Sequence, residues 1–246
     1  MPRRARQVSV SGYMHVIVRG IGKQILFENT SDYYHYLIRL EQYCMETDVK
    51  VTAFCLMNNH VHLLLNGKMG AIALLMKKIG VSYSGYYNRK YDRSGHLFQD
   101  RYLSEPVETE SYLLNVFRYI LRNPQKAGIC SADKYKWSSY GIYDNVPGFM
   151  DIALLKDLLG NKQNYENFLL GETDEQCLEH ENKHDDKWAI ELMKRCLDVS
   201  TGSELQAFSR FERDAALKKL KENGLTIRQI ERLTGIGRNI IQKAGK

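Results

Sequence analysis

At 246 residues, with 43% hydrophobic and 26% charged side chains, the chain has the composition of a soluble globular protein, with one core of ordinary size and room for a small second unit. No uncharged apolar run approaches the roughly 20 residues that span a bilayer, and the basic start Met1-Pro2-Arg3-Arg4-Ala5-Arg6-Gln7 lacks the apolar core of a signal peptide, so no membrane segment is expected. The net charge of +6 is uneven: residues 1–150 carry +7, residues 151–200 carry −6 and residues 215–246 carry +6. Two basic units that suit phosphate backbones thus flank an acidic segment. That segment reads as a solvated spacer, the alternative being a cover over a basic cleft. Five scattered cysteines without a Cys-x-x-Cys pair read as the reduced thiols of a cytoplasmic protein.

In chain order, the patterning predicts a strand at Tyr13–Arg19 and a helix at Ser31–Glu46. Strands at Val49–Met57 and His60–Asn66 follow, joined as a hairpin through Asn58-Asn59, a pair that tolerates positive φ. Next come a helix at Ala71–Lys90, whose Tyr83, Tyr86, Tyr87 and Tyr91 read as packing residues, and a strand at Ser104–Val107. A helix at Thr109–Asn123 has Thr109 as N-cap and Leu113, Val116, Phe117 and Ile120 as its core stripe. Pro124 should end it near Asn123. The order is that of a split β-α-β unit with an antiparallel sheet, an α+β design.

The expected division is a main domain at 1–145, an acidic helical connector at 146–200 and a small all-α domain at 201–246. In the last, Gly224 can end a helix, Thr226 and Gln229 form a capping box, Ile230 and Leu233 face inward, Gly235 allows a sharp turn, and Ile240 and Ile241 pack the next helix. This resembles a helix-turn-helix, with Arg238, Asn239, Gln242 and Lys243 offered to a DNA duplex. A helical hairpin that only packs or self-associates is the plain alternative. Cys177, His180 and His184 lack a fourth ligand and sit among acidic residues, so a charged helix is preferred to a zinc site there.

Two stretches carry chemistry. On a strand, His60 and His62 project from one face, roughly 6.5 Å apart along the axis, while Val61 enters the opposite layer. Two neutral imidazoles on a rigid face make half of a divalent metal site. On the Thr109–Asn123 helix, Tyr112, Asn115, Tyr119 and Asn123 share a face, and Tyr119 and Asn123 stand one turn apart. A phenol oxygen is a nucleophile, and an amide oxygen can complete a two-histidine site. Taken singly, each has a plain structural reading: a hydrogen-bonded strand histidine, an interfacial tyrosine, an asparagine at a helix end.

Together, His60-Val61-His62 and Arg118-Tyr119-Ile120-Leu121-Arg122-Asn123-Pro124 resemble the HUH single-tyrosine transposases, in particular the REP-associated branch. Tyr13-Met14-His15-Val16-Ile17-Val18-Arg19-Gly20, Gly95-His96-Leu97-Phe98-Gln99-Asp100-Arg101-Tyr102 and Trp137-Ser138-Ser139-Tyr140 agree in order, so the resemblance covers about residues 8 to 145. The chain departs from the common pattern at Asn58, where proline is usual, and at Gln125-Lys126, where Val-Arg is usual.

The resemblance implies a ferredoxin-like sheet with the HUH strand central, and Mg²⁺ or Mn²⁺ held by His60, His62 and Asn123. It implies Tyr119 as the nucleophile that forms a 5′-phosphotyrosine on single-stranded DNA, and recognition of an imperfect hairpin at a repetitive element. Arg3, Arg4, Arg6, Arg19, Arg101 and Lys126 are candidates for backbone contact. Either a monomer or a homodimer fits. A DNA-binding regulator that keeps the scaffold without the reaction is the alternative, and a replication or conjugation initiator with the same chemistry is a further one.

Overall fold

The computed structural model describes residues 7–171, 177, 186–199, 201–225 and 227–245. The chain divides between His180 and Glu181 into two compact units. In the first, strands β1 (Tyr13–Arg19), β2 (Lys50–Met57), β3 (His60–Asn66) and β4 (Leu103–Pro106) form one antiparallel sheet in the order β2-β3-β1-β4. Helix α1 (Thr30–Thr47) follows β1, and α2 (Met69–Lys90) follows β3. This is the predicted α+β, ferredoxin-like arrangement, with β3 and β1 central.

Alternation along the strands sorts side chains into two cores. Met14, Val16, Val18, Phe54, Leu56, Val61, Leu63 and Leu65 face α1 and α2. Ala53, Cys55, Met57 and Leu64 face α3 (Glu110–Lys126), which covers the other side through Leu113, Val116, Phe117 and Ile120. A register shift between Val51 and Ala53 makes Thr52 an extra residue in β2, which moves Val51 into the first core.

Helix α1 begins in a capping box. The Asn29 side chain accepts from the Ser31 amide, and the Asp32 carboxylate accepts from the Asn29 and Glu28 amides at 3.1 and 2.9 Å. Asp32 is fully buried and also receives Lys90 at 2.6 Å, the Tyr91 hydroxyl at 2.7 Å and the Tyr86 hydroxyl at 2.9 Å, so the end of α2 is tied to the start of α1. The β2 edge is covered by the segment after α3. Trp137 and Phe149 carbonyls accept from Leu56 and Val51, and Ser139 pairs with Phe54.

Three expectations are corrected. The Asn58-Asn59 turn does not use positive φ; among the described non-glycine residues only Lys23, Asp48, Asp92 and Asp198 do. The turn is instead held from outside, because the Gly20, Leu26 and Phe27 amides donate to the Asn58 and Asn59 carbonyls. Gly20 is required there, since a Cβ would meet the Gln24 carbonyl oxygen at 2.2 Å. Second, α3 does not stop before Pro124 but runs to Lys126. Its end is a Schellman motif in which Gly128, at φ 69°, donates to Gln125 and Ile129 donates to Pro124. The glycine, not the proline, terminates it.

Third, residues 146–200 are not a unit of their own. Helices α4 (Ala153–Leu159) and α5 (Lys162–Leu170) bury Leu155, Tyr165 and Leu169 in the α3 core, and Cys177 is buried there too. Helix α6 (Asp186–Leu197) belongs to the second unit, where Ala189, Leu192 and Met193 join its core. The negative charge obscured an apolar stripe in each helix.

The second unit continues with α7 (Arg210–Glu222), α8 (Ile227–Thr234) and α9 (Arg238–Lys243). Gly224, at φ 90°, ends α7, and Gly235, at φ 71°, makes the turn between α8 and α9. Leu217, Ile230 and Ile241 are fully buried, but Ile240, expected to pack, is 43% exposed. Adjacent helix positions point about 100° apart, and on α9 Ile241 takes the core-facing one. Thr226 of the expected capping box lies outside the described residues, as do His180 and His184. No helix among the described residues is long and apolar enough to cross a membrane.

Candidate active site

The site lies on the α3 side of the sheet. Pairing of β1 with β3 sets Ile17 opposite His62 and Arg19 opposite His60, so Arg19 and both histidines share that face. The His60 and His62 ring centroids are 5.0 Å apart with the planes nearly perpendicular. His62 is buried and His60 is half-buried.

Both imidazoles are held through Nδ1. The Asn59 side-chain oxygen lies 2.7 Å from His60 Nδ1, and Asn59 is itself fixed by the clamped turn. His62 Nδ1 lies 3.2 Å from Nε2 of His15, one diagonal step away on β1. Burial pushes the His15 pKa down to about 3, so His15 is neutral at ordinary pH. Donation from each Nδ1–H would put the lone pair on Nε2, the tautomer that metal-bound histidines adopt. In that arrangement His15 carries its proton on Nδ1, a buried atom with no hydrogen-bond partner.

Helix α3 brings Tyr119 onto these rings. Its centroid lies 5.6 Å from that of His62 and 6.0 Å from that of His15, edge-on to both. Tyr119 is 7% exposed. Asn123, one turn further and equally buried, donates its amide nitrogen to the Tyr119 carbonyl at 3.4 Å. Among the described residues no three His, Cys, Asp or Glu side chains gather as a metal site. The donors these residues offer are two imidazoles and an amide, a set that a divalent cation could take.

Among the expected DNA contacts, Lys126 Nζ sits 5.1 Å from the centre of the Tyr119 ring. Arg101 is exposed in the segment before β4, near Gln99, whose amide donates to the Arg19 carbonyl. Arg3, Arg4 and Arg6 lie outside the described residues. In the second unit Arg238, Asn239, Gln242 and Lys243 are all exposed on α9, and Arg238 pairs with Glu231 of α8. Tyr112 and Asn115 are turned to other work: Tyr112 donates to Glu105 at 2.7 Å, and Asn115 accepts from Arg118.

Sequence reasoning missed how α3 is braced. Arg118 lies over the Phe168 ring at 4.6 Å and donates to the Phe168 carbonyl, while Arg122 donates to the Leu170 and Gly171 carbonyls. Arg122 thus satisfies orphan carbonyls at the end of α5, and Arg118 shares the Phe168 carbonyl with the Gly171 amide. Their spacing of four residues on α3 was the available signal. The role of Asn59 in holding His60 had none beyond adjacency.

No curated protein matches the chain. A REP-associated tyrosine transposase solved bound to a REP hairpin is 13% identical, with a TM-score of 0.45, over 62% of this chain and 96% of its own. A candidate transposase from Deinococcus radiodurans R1 is 16% identical, with a TM-score of 0.35, over 48% of this chain and 95% of its own. The family model for IS200-like transposases matches residues 8–123, a span that begins before β1 and ends at Asn123. That span is a little under half of the chain and contains His60, His62, Tyr119 and Asn123.

Proposed function

We propose that this protein nicks and rejoins single-stranded DNA through a covalent 5′-phosphotyrosine on Tyr119, with Mg²⁺ or Mn²⁺ held by His60, His62 and Asn123. The observation that carries this reading is the approach of the Tyr119 ring to His62, whose Nδ1 is already engaged by His15. When bound, the divalent ion would polarise the scissile phosphate and offset charge on its equatorial oxygens. His15 and Asn59 fix the two imidazoles, and α3, braced on α5, fixes the phenol. The Tyr119 oxygen attacks phosphorus as the bond to the 3′-oxygen breaks, and the departing oxygen takes up a proton. The phosphodiester's energy is kept in the new bond, so a second 3′-hydroxyl can reverse the step without ATP.

The substrate is a hairpin of repetitive-element DNA with a single-stranded flank. Arg19, Arg101 and Lys126, together with the basic start at Arg3, Arg4 and Arg6, supply cations for its phosphates. The exposed α9 residues Asn239, Gln242 and Lys243 would give the second unit a duplex contact. Five free cysteines fit a cytoplasmic setting. Incubation with Mg²⁺ and a hairpin oligonucleotide should trap a protein–DNA adduct that Tyr119→Phe and His60→Ala abolish. Binding with no adduct under either metal would make the protein a DNA-binding regulator instead.

A further inference from the structure

Two of the α2 tyrosines, read from the sequence as packing residues, also carry hydrogen bonds toward the metal site. Tyr83 and Tyr87 stand one turn apart and are fully buried. The Tyr83 hydroxyl donates to the Leu26 carbonyl at 2.6 Å, and the Tyr87 hydroxyl donates to the Ile25 carbonyl at 3.0 Å. Tyr87 shares its proton with the Glu28 carboxylate, also at 3.0 Å. Burial pushes the Tyr83 pKa up, so its hydroxyl keeps the proton that it donates. Tyr36, equally buried in the same core, has a hydroxyl that meets no partner among the described residues, so packing alone does not explain the bonds of the other two.

The two accepting carbonyls belong to consecutive peptide groups. The Leu26 amide, in one peptide group with the Ile25 carbonyl, donates to the Asn58 carbonyl at 2.6 Å. The Phe27 amide, in one peptide group with the Leu26 carbonyl, donates to the same Asn58 oxygen at 3.2 Å. Each phenol is thus joined to Asn58 through a single peptide group. A peptide that accepts at its oxygen is a better donor at its nitrogen, and away from water such bonds reinforce one another. Asn58 opens the turn whose second residue, Asn59, lies 2.7 Å from His60 Nδ1. The start of the 20–27 loop is secured by backbone pairs, Gly20 to Asn59 at 3.0 Å and Ile21 to Leu97 at 2.9 Å. Its end rests on the two phenols.

We propose that Tyr83 and Tyr87 are positioning residues for the reaction: through the peptide groups of residues 25–27 they set the Asn58-Asn59 turn, and with it the direction of the His60 imidazole. The proposal rests on the reading of His60 as a metal ligand. Both phenols lie in the core on the far side of the sheet from His60. Their loss therefore weakens the hold on the cation and leaves the chemistry of a loaded site as it was.

The test uses the full chain, first with Mn²⁺ alone and then with a hairpin oligonucleotide. Mn²⁺ affinity is read from the free-ion signal in electron paramagnetic resonance. Tyr83→Phe should weaken it about threefold, Tyr87→Phe by less because Glu28 competes for its proton, and the double variant about tenfold. Single-turnover cleavage by the double variant should fall at low Mn²⁺ and return to the wild-type rate at saturation. Without metal, hydrogen exchange of the Leu26 and Phe27 amides should be faster in the double variant. Two controls in the same core, Tyr36→Phe and Ile79→Val, remove no hydrogen bond and should leave Mn²⁺ affinity unchanged. Wild-type affinity in the double variant, or an equal loss in the controls, would overturn the inference and leave the metal reading intact. Undiminished Mn²⁺ affinity in His60→Ala would overturn both.

Discussion

The two faces of the sheet bury polar groups on opposite terms. On the α1–α2 side, Asp32 is fully buried and accepts from two amides, two tyrosine hydroxyls and Lys90. On the α3 side, His15 is equally buried yet leaves one ring nitrogen unsatisfied, and its other nitrogen serves only to hold His62. The first arrangement stabilises the fold. The second leaves one buried ring nitrogen of His15 unpaired and uses the other to hold His62 in place. Strand β3 takes part in both, with Val61, Leu63 and Leu65 on one side and His60 and His62 on the other.

The comparison breaks most sharply at Tyr119. Tyr119→Phe should abolish the covalent adduct on denaturing gels while changing the unfolding free energy in urea by about 1 kcal/mol or less. A residual adduct would mean another nucleophile. Adjacent positions on β3 should then separate the two faces. His62→Ala should slow strand cleavage about 10²- to 10³-fold in single-turnover assays and cost about 1–3 kcal/mol of stability, since it leaves buried His15 without a partner. Leu63→Ala should destabilise by about 2–5 kcal/mol in urea unfolding and leave cleavage by the folded fraction intact. Equal effects of both changes on both readouts would remove the division of labour.

Asp32→Asn should cost about 3 kcal/mol, because it leaves Lys90 facing a neutral group in a part-buried site. The pH dependence has a definite sign. Burial alone would raise the Asp32 pKa, but Lys90, Tyr91, the Asn29 amide and Tyr86 together bring it below the ordinary aspartate value. A lowered carboxyl pKa contributes stability that is present above the ordinary value and is lost as pH falls through the lowered one. The wild-type urea midpoint should therefore drop in acid below about pH 4, and the Asp32→Asn profile should be flatter there. The smallest effect expected is that of Asn59→Ala. Loss of the group that orients His60 should lower metal-dependent cleavage about 10- to 100-fold, recoverable in part at higher Mn²⁺.

Much of this was legible in the chain. The limits of β1 and β3 follow from alternation, and Thr109 caps α3 as its side chain requires, accepting from the Tyr112 amide. What misled were features whose local preference was overridden from a distance. Asn58-Asn59 suggested a positive-φ turn, but the 20–27 loop holds it otherwise. Pro124 suggested a helix end, but Gly128 four residues on made a better one. The acidic run at 146–200 suggested a spacer, but α4, α5 and α6 each bury an apolar stripe.

Spacing along the chain was enough to place His60 and His62 on one strand face and Tyr119 and Asn123 on one side of a helix, because the periods of strand and helix are fixed by backbone geometry. It could not bring that helix onto that face or orient His62 through His15. Those depend on contacts between residues such as His15 and His62, 47 positions apart, and only the packed sheet, with α3 laid across one side and α2 across the other, decides which distant side chains meet.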